Sequence, residues 1–216
     1  MMSNLWLQRL STFTSNKNVL LVYNPISLSG REQSNNGKLN ILFLGRLGKR
    51  KGVYDLLECV NQNKEYFQSK KARFILAGDG EVEKTRQFVA DHELTDLVEV
   101  PGWILSEQKE KYLKTSDILI LPSYNEQMPM SILEGMGYGY PILATNIASI
   151  PEMVKHGENG YLFEPGDIRA MTLFIQNLCE DVSLREKMGR RSQELVKEKF
   201  ESTKIVDQLV SIYENL

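Results

Sequence analysis

The pattern of apolar and polar positions changes character at Leu39. Upstream, Trp6, Leu10 and Phe13 fall at helical spacing within residues 3–15 and predict a short amphipathic helix. VLLVYNP, Val19 to Pro25, reads as a strand closed by an Asn-Pro turn, and Ser27 to Lys38 as a polar loop. From Leu39 onward, short apolar runs alternate with helical patterns. The runs predict strands at Asn40–Leu44, Arg73–Ala77, Leu97–Val100, Ile118–Leu121, Ile142–Ala144 and Gly160–Phe163. Between them, helices are predicted at Val53–Phe67, up to His92, at Glu107–Thr115, at Met130–Tyr138 and briefly at Pro151–Lys155. Helices at Asp167–Cys179, Ser183–Lys199 and Thr203–Leu216 complete the chain. Such alternation predicts an α/β fold, a doubly wound Rossmann-like parallel sheet with helices on both faces.

In such a sheet the loops after the strands gather at one edge, where ligands bind. Here those loops are Gly45–Gly52, Gly78–Glu81, Gly102–Leu105, Ser123–Pro129 and Thr145–Ile150, and they are the Gly-rich and charged ones. The stretch NEQMPMSILEGMGYGYP, Asn125 to Pro141, is the most informative. Pro129 suits the first turn of a helix, whose free N–H groups and positive dipole end would face the loop and favour an anion. Glu126 in the loop and Glu134 in the helix would repel that anion, so their better use is to accept hydrogen bonds from hydroxyls. An anion site beside two hydroxyl acceptors points to a nucleotide sugar.

Composition narrows the picture. A net charge of −2 gives no general case for nucleic acid, and no apolar run approaches the length that spans a bilayer. Cys59 and Cys179 lie far apart in helical patterns and read as buried free thiols. His92 and His156 read as surface residues, and Met128, Met130 and Met136 as packing. In GRLGKRKG, Arg46 could grip phosphate as a planar fork and Lys51 could add a point charge; a solvated basic turn is the competing reading. The GxxxxGK(S/T) spacing of nucleotide hydrolases is absent, as is a GxGxxG dinucleotide fingerprint, which disfavours an oxidoreductase.

Taken in order, these residues resemble a known family. GRL…KG at Gly45–Gly52, GDGE at Gly78–Glu81, Gly102, SDILILPSYNEQMPMSILEGMGYGYPILAT, Pro151–Glu152 and GENGYLFEPGD carry the resemblance. It is to the C-terminal, donor-binding half of a GT-B glycosyltransferase, of the retaining group 1 type (family 4), and covers residues 39–200. Glu126 to Glu134 is similar to that family's E-x7-E pair. The resemblance implies that Arg46 and Lys51 bind the donor diphosphate, so that no metal is required, and that Glu126 bonds the transferred sugar. It implies that Glu134 holds the ribose, with Gly45, Gly78, Gln127, Met128 and Met130 lining the donor, and Gly102, Trp103 and Ile104 near the base. Gln127 and Pro129 stand where the family often has glycines, and Ala148-Ser149 replaces a glycine pair.

The implied function is transfer of a hexose from a nucleotide diphosphate sugar, UDP favoured over GDP, to a glycan or lipid-linked acceptor. No other cofactor is implied. Only one of the two domains of such an enzyme fits in 216 residues. Residues 1–38 are expected to be an interdomain junction, 39–200 the donor domain, and 201–216 a helix directed toward an acceptor domain or partner chain. The expected location is the cytoplasm, or a peripheral position at the inner membrane face. A non-catalytic sugar-nucleotide-binding subunit and a nucleotide-sugar epimerase are the alternatives.

Overall fold

The structure is a computed structural model and describes residues 3–13, 19–32 and 37–215. A first helix, α1 (Asn4–Ser11), precedes the sheet. The sheet's strands are β1 (Leu39–Leu44), β2 (Ala72–Ala77), β3 (Val98–Gly102), β4 (Ile118–Leu121), β5 (Ile142–Thr145) and β6 (Gly160–Phe163). Between β1 and β2 lie α2 (Val53–Gln62) and α3 (Lys64–Ser69); between β2 and β3 lies α4 (Val82–Asp91). The later connections carry α5 (Ser106–Thr115), α6 (Met130–Gly137) and α7 (Ile150–Met153). The chain then runs through α8 (Ile168–Glu180), α9 (Val182–Leu195) and α10 (Ser202–Glu214).

All strand pairs are parallel, in the order β3-β2-β1-β4-β5-β6. β1, β4 and β5 are buried along their whole length and, as parallel strands covered on both faces, are apolar except for Asn40 and Thr145. With right-handed crossovers, this order places connections made leftward from β1 and rightward from β4 on opposite faces. Accordingly α2 packs against α4 and α8, whereas α6 packs against α9. The order reverses between β1 and β4, which opens a crevice above their carboxyl ends. The expected α/β architecture is therefore the observed one.

Several local expectations fail for identifiable reasons. Val19–Pro25 is not a strand: the sheet ends at β3 and β6, and this segment instead lies against the C-terminal helices. Tyr23 packs edge-on against Phe200 at 5.0 Å, Gln208 donates to the Leu21 carbonyl at 2.8 Å, and Ile26 makes an isolated bridge with Glu201. The helix predicted over Val53–Phe67 breaks at Asn63, whose side chain donates to the Cys59 carbonyl at 2.9 Å and competes with the helical ladder. The helix predicted over residues 3–15 ends at Ser11, leaving Phe13 exposed; residues 14 and 15 lie outside the described residues. After Leu195, the helix widens into a π turn over Val196–Phe200. His92 is half-buried rather than on the surface, stacked on Phe88 with ring centroids 4.0 Å apart.

Cys59 is buried, its Sγ 3.1 Å from the Thr172 hydroxyl, and Cys179 is half-buried; both are free thiols. Burial pushes their pKa values up to about 11 and about 12. Glu152 ties the N-terminal segment to the body: its carboxylate accepts from the Asn4 amide at 2.9 Å, the Leu5 amide at 3.1 Å and the Tyr23 hydroxyl at 3.2 Å. Burial, and then the Glu152 charge, push Tyr23 up to about 12.

Candidate functional site at the carboxyl edge of the sheet

The five loops expected to gather at the carboxyl edge do so, and they are laced together in strand order. The Gly78 amide donates to the Gly102 carbonyl at 2.9 Å, joining the loops after β2 and β3. Leu47 donates to Asp79 at 2.6 Å and accepts from Glu81 at 2.9 Å, joining the loops after β1 and β2. Across the crevice, Tyr124 donates to the Arg50 carbonyl at 2.9 Å. Thr145 donates through its hydroxyl to Ser123 at 2.6 Å, and the Ser149 hydroxyl donates to Gln127, so the loop after β5 supports the loop after β4. Two glycines permit this closeness. A Cβ at Gly78 would stand 1.9 Å from the Gly45 carbonyl oxygen, and one at Gly52 (φ +70°) 1.9 Å from that of Pro122.

The sequence-predicted residues fall into three groups. At the crevice, the Lys51 ammonium is ion-paired with Glu126, which also accepts from the Ser123 hydroxyl at 2.8 Å. Both side chains are largely withdrawn from solvent, 17% and 7% exposed, so their attraction is weakly screened. Arg46 is exposed and only 3.8 Å from Asp79, an arrangement that leaves the guanidinium available. Arg46, Lys49, Arg50, Lys51 and Glu81 border a cavity of about 530 Å³. Glu81 accepts from the Tyr54 hydroxyl at 2.8 Å, a bond that lowers the Glu81 pKa, while burial and this contact raise that of Tyr54.

The second group surrounds the start of α6. Pro129 is the cap of this helix, one position before the first turn predicted for it, and Met130 opens the helix without a side-chain cap. The helix therefore presents its dipole and opening amides to the loop without a competing side chain. Gln127 is exposed and Met128 buried; Met136 packs in the core as expected, but Met130 is 40% exposed and does not. Glu134 is the half-buried helix residue that the sequence indicated, its side chain 18% exposed, and Lys109 of α5 donates to it at 2.6 Å.

The third group, after β3, is the most open: Gly102 is buried, Ile104 half-buried and Trp103 72% exposed. A larger cavity of about 910 Å³ lies beside β3, lined by Lys38, Arg73, Arg86 and Thr95–Val100; none of its lining belongs to the five loops. The site is taken to be the loop crevice, because charged partners and helix dipole converge there.

Sequence reasoning missed Lys109, Ser123 and Ser149. Lys109 sits in the charged run SEQKEKYLKT, which reads as a solvated face. A signal was present: Lys109 lies four residues before Leu113, the buried residue of α5, and so shares its face. Ala148 occupies left-handed backbone at φ +48°, the conformation for which glycine is the unstrained choice.

The family profile described as Glycosyl transferases group 1 matches residues 27–195. The chain belongs to this family. It is 36% identical over 143 residues to N-acetyl-alpha-D-glucosaminyl L-malate synthase of Bacillus anthracis, a match spanning 66% of this chain and 37% of that relative. Among solved structures, the Anabaena protein HepE in complex with UDP superposes with a TM-score of 0.84 at 20% identity, covering 96% of this chain and 60% of HepE. The C-terminal domain of a glycosyl transferase group 1 family protein (LpcC) from Francisella tularensis superposes with a TM-score of 0.68 at 23% identity, covering 77% of this chain and 88% of that domain. These likenesses establish a GT-B half as the fold. Among the described residues, no helix is long and apolar enough to cross a membrane.

Proposed function

We propose that this chain is the donor-binding portion of a retaining glycosyltransferase, moving a hexose from a nucleotide diphosphate sugar to a glycan or lipid-linked acceptor. The observation that carries this reading is the Lys51–Glu126–Ser123 cluster at the crevice between β1 and β4, beside the uncapped start of α6. A diphosphate entering there meets Lys51, the exposed Arg46 guanidinium and the helix dipole, all of one sign. As Lys51 turns to phosphate, Glu126 is released from its ion pair to accept hydroxyls of the sugar. In the transition state, these cationic groups would neutralise charge on the departing nucleotide diphosphate, so the chemistry requires no metal. Glu134 is assigned to the ribose, and the loop at Trp103 and Ile104 to the base.

UDP is the favoured nucleotide, supported by the UDP named in the HepE complex. The domain reading keeps residues 39–200 as donor domain, with residues 1–38 and α10 toward an acceptor domain. It is supported by the partial span of the B. anthracis relative and by the match to the F. tularensis C-terminal domain. On this reading the chain alone binds donor and transfers no sugar.

Calorimetric titration with UDP, GDP and ADP, each with and without magnesium, tests the proposal. Magnesium-independent binding of UDP, abolished in the paired variant Lys51→Met with Glu126→Gln, is the expected result. A folded chain that binds none of the three would overturn it.

A further inference from the structure

Glu134 has a feature that its assignment to the ribose does not account for. Its Oε1 is held at 2.6 Å by the ammonium of Lys109, and among the described residues Oε2 has no donor. The two residues come from different elements, Lys109 from α5 behind the loop after β3 and Glu134 from α6 behind the loop after β4. The bond therefore spans the two connections assigned to opposite ends of a nucleoside, the base and the sugar-phosphate. A carboxylate turns freely about its last torsion. With one oxygen fixed by a charge-assisted bond, the other has a defined direction.

We propose that Lys109 is a positioning residue for nucleoside recognition: it fixes the Glu134 carboxylate so that Oε2 accepts from the ribose hydroxyls, and it clips the base-side helix to the sugar-side helix. This inference rests on the donor-binding reading above. A purely structural role is the alternative, and it predicts something different. Lys109 is 39% exposed, and a pair of that exposure contributes little to folding, so stability and binding separate.

The experiment compares the wild-type chain with Lys109→Ala and Lys109→Arg. Each is titrated with UDP and with 2′,3′-dideoxyuridine diphosphate, which lacks the hydroxyls, and each is melted without ligand. Lys109→Ala is expected to bind UDP about five- to tenfold more weakly, as for loss of one oriented charge-assisted hydrogen bond. The dideoxy nucleotide should bind wild type and Lys109→Ala alike, Lys109→Arg should recover most of the UDP affinity, and the melting temperature should be nearly unchanged. Equal UDP affinity in wild type and Lys109→Ala, or equal losses for both nucleotides, would overturn the role of Lys109 while leaving the donor site intact. Failure of the wild type to bind UDP would instead remove the donor reading, and this inference with it.

Discussion

The Lys51 and Glu126 side chains are withdrawn from water far enough that neither can lose its partner at low cost. Removing one charge of such a pair leaves the other desolvated and uncompensated, whereas replacing both with neutral groups of similar shape removes attraction and penalty together. Lys51→Ala should therefore destabilise the fold by about 3 kcal/mol in chemical denaturation. The paired variant Lys51→Met with Glu126→Gln should stay close to wild type, which makes it the informative variant for binding. Asp117 gives a pH-dependent counterpart. Burial raises its pKa, offset partly by the Asn40 amide and by Arg31, so the folded state favours the protonated acid. The sign follows: this contribution is full below the ordinary value of 3.8 and is lost as pH rises through the folded pKa, leaving a cost at neutral pH. Asp117→Asn should melt at a higher temperature than wild type near pH 7, and the difference should vanish on acidification. What the sequence could disclose at this scale were residue types at the right spacing, Glu126, Glu134 and Lys51. It could not disclose that Lys51 and Glu126 pair, nor that Lys109 turns inward, because both depend on how separate elements pack.

Elements were legible where their apolar period had no competitor. The buried strand Ile118–Leu121 is a continuous apolar run and Leu39–Leu44 is interrupted only by Asn40, and both appear within a residue or so of where they were read. Val19–Pro25 has equally good strand composition but joins neither edge strand, β3 or β6, and lies against the C-terminal helices instead; composition carries no information about which partner a segment meets. The break at Asn63 was similarly hidden, since one side-chain amide decided it. The tight passage of the loop after β1 beneath β4 yields a prediction at this scale. Gly52→Ala would place a methyl within 1.9 Å of the Pro122 carbonyl oxygen at φ +70°, so the loop must move or the fold must weaken. A loss of roughly 3 kcal/mol in denaturant unfolding, of the order of an overpacked core site with added backbone strain, is expected.

For the molecule as a whole, the reversal of strand order between β1 and β4 fixes where a ligand can lie; strand–helix alternation predicted a doubly wound parallel sheet with its loops at one edge, but not the strand order. The tie between Glu152 and the segment around Asn4 and Tyr23 was not legible, because it joins residues as many as 148 positions apart. The lacing of the five loops has a consequence for how this domain can diverge. Each loop is measured against its neighbour by backbone hydrogen bonds or by a hydroxyl to a carbonyl, so one inserted residue would put the whole rim out of step. New ligand preferences in this scaffold should therefore arise by exchanging the side chains that the rim carries, as with Gln127, Trp103 or Lys109. Changes in loop length belong at the opposite end of the sheet.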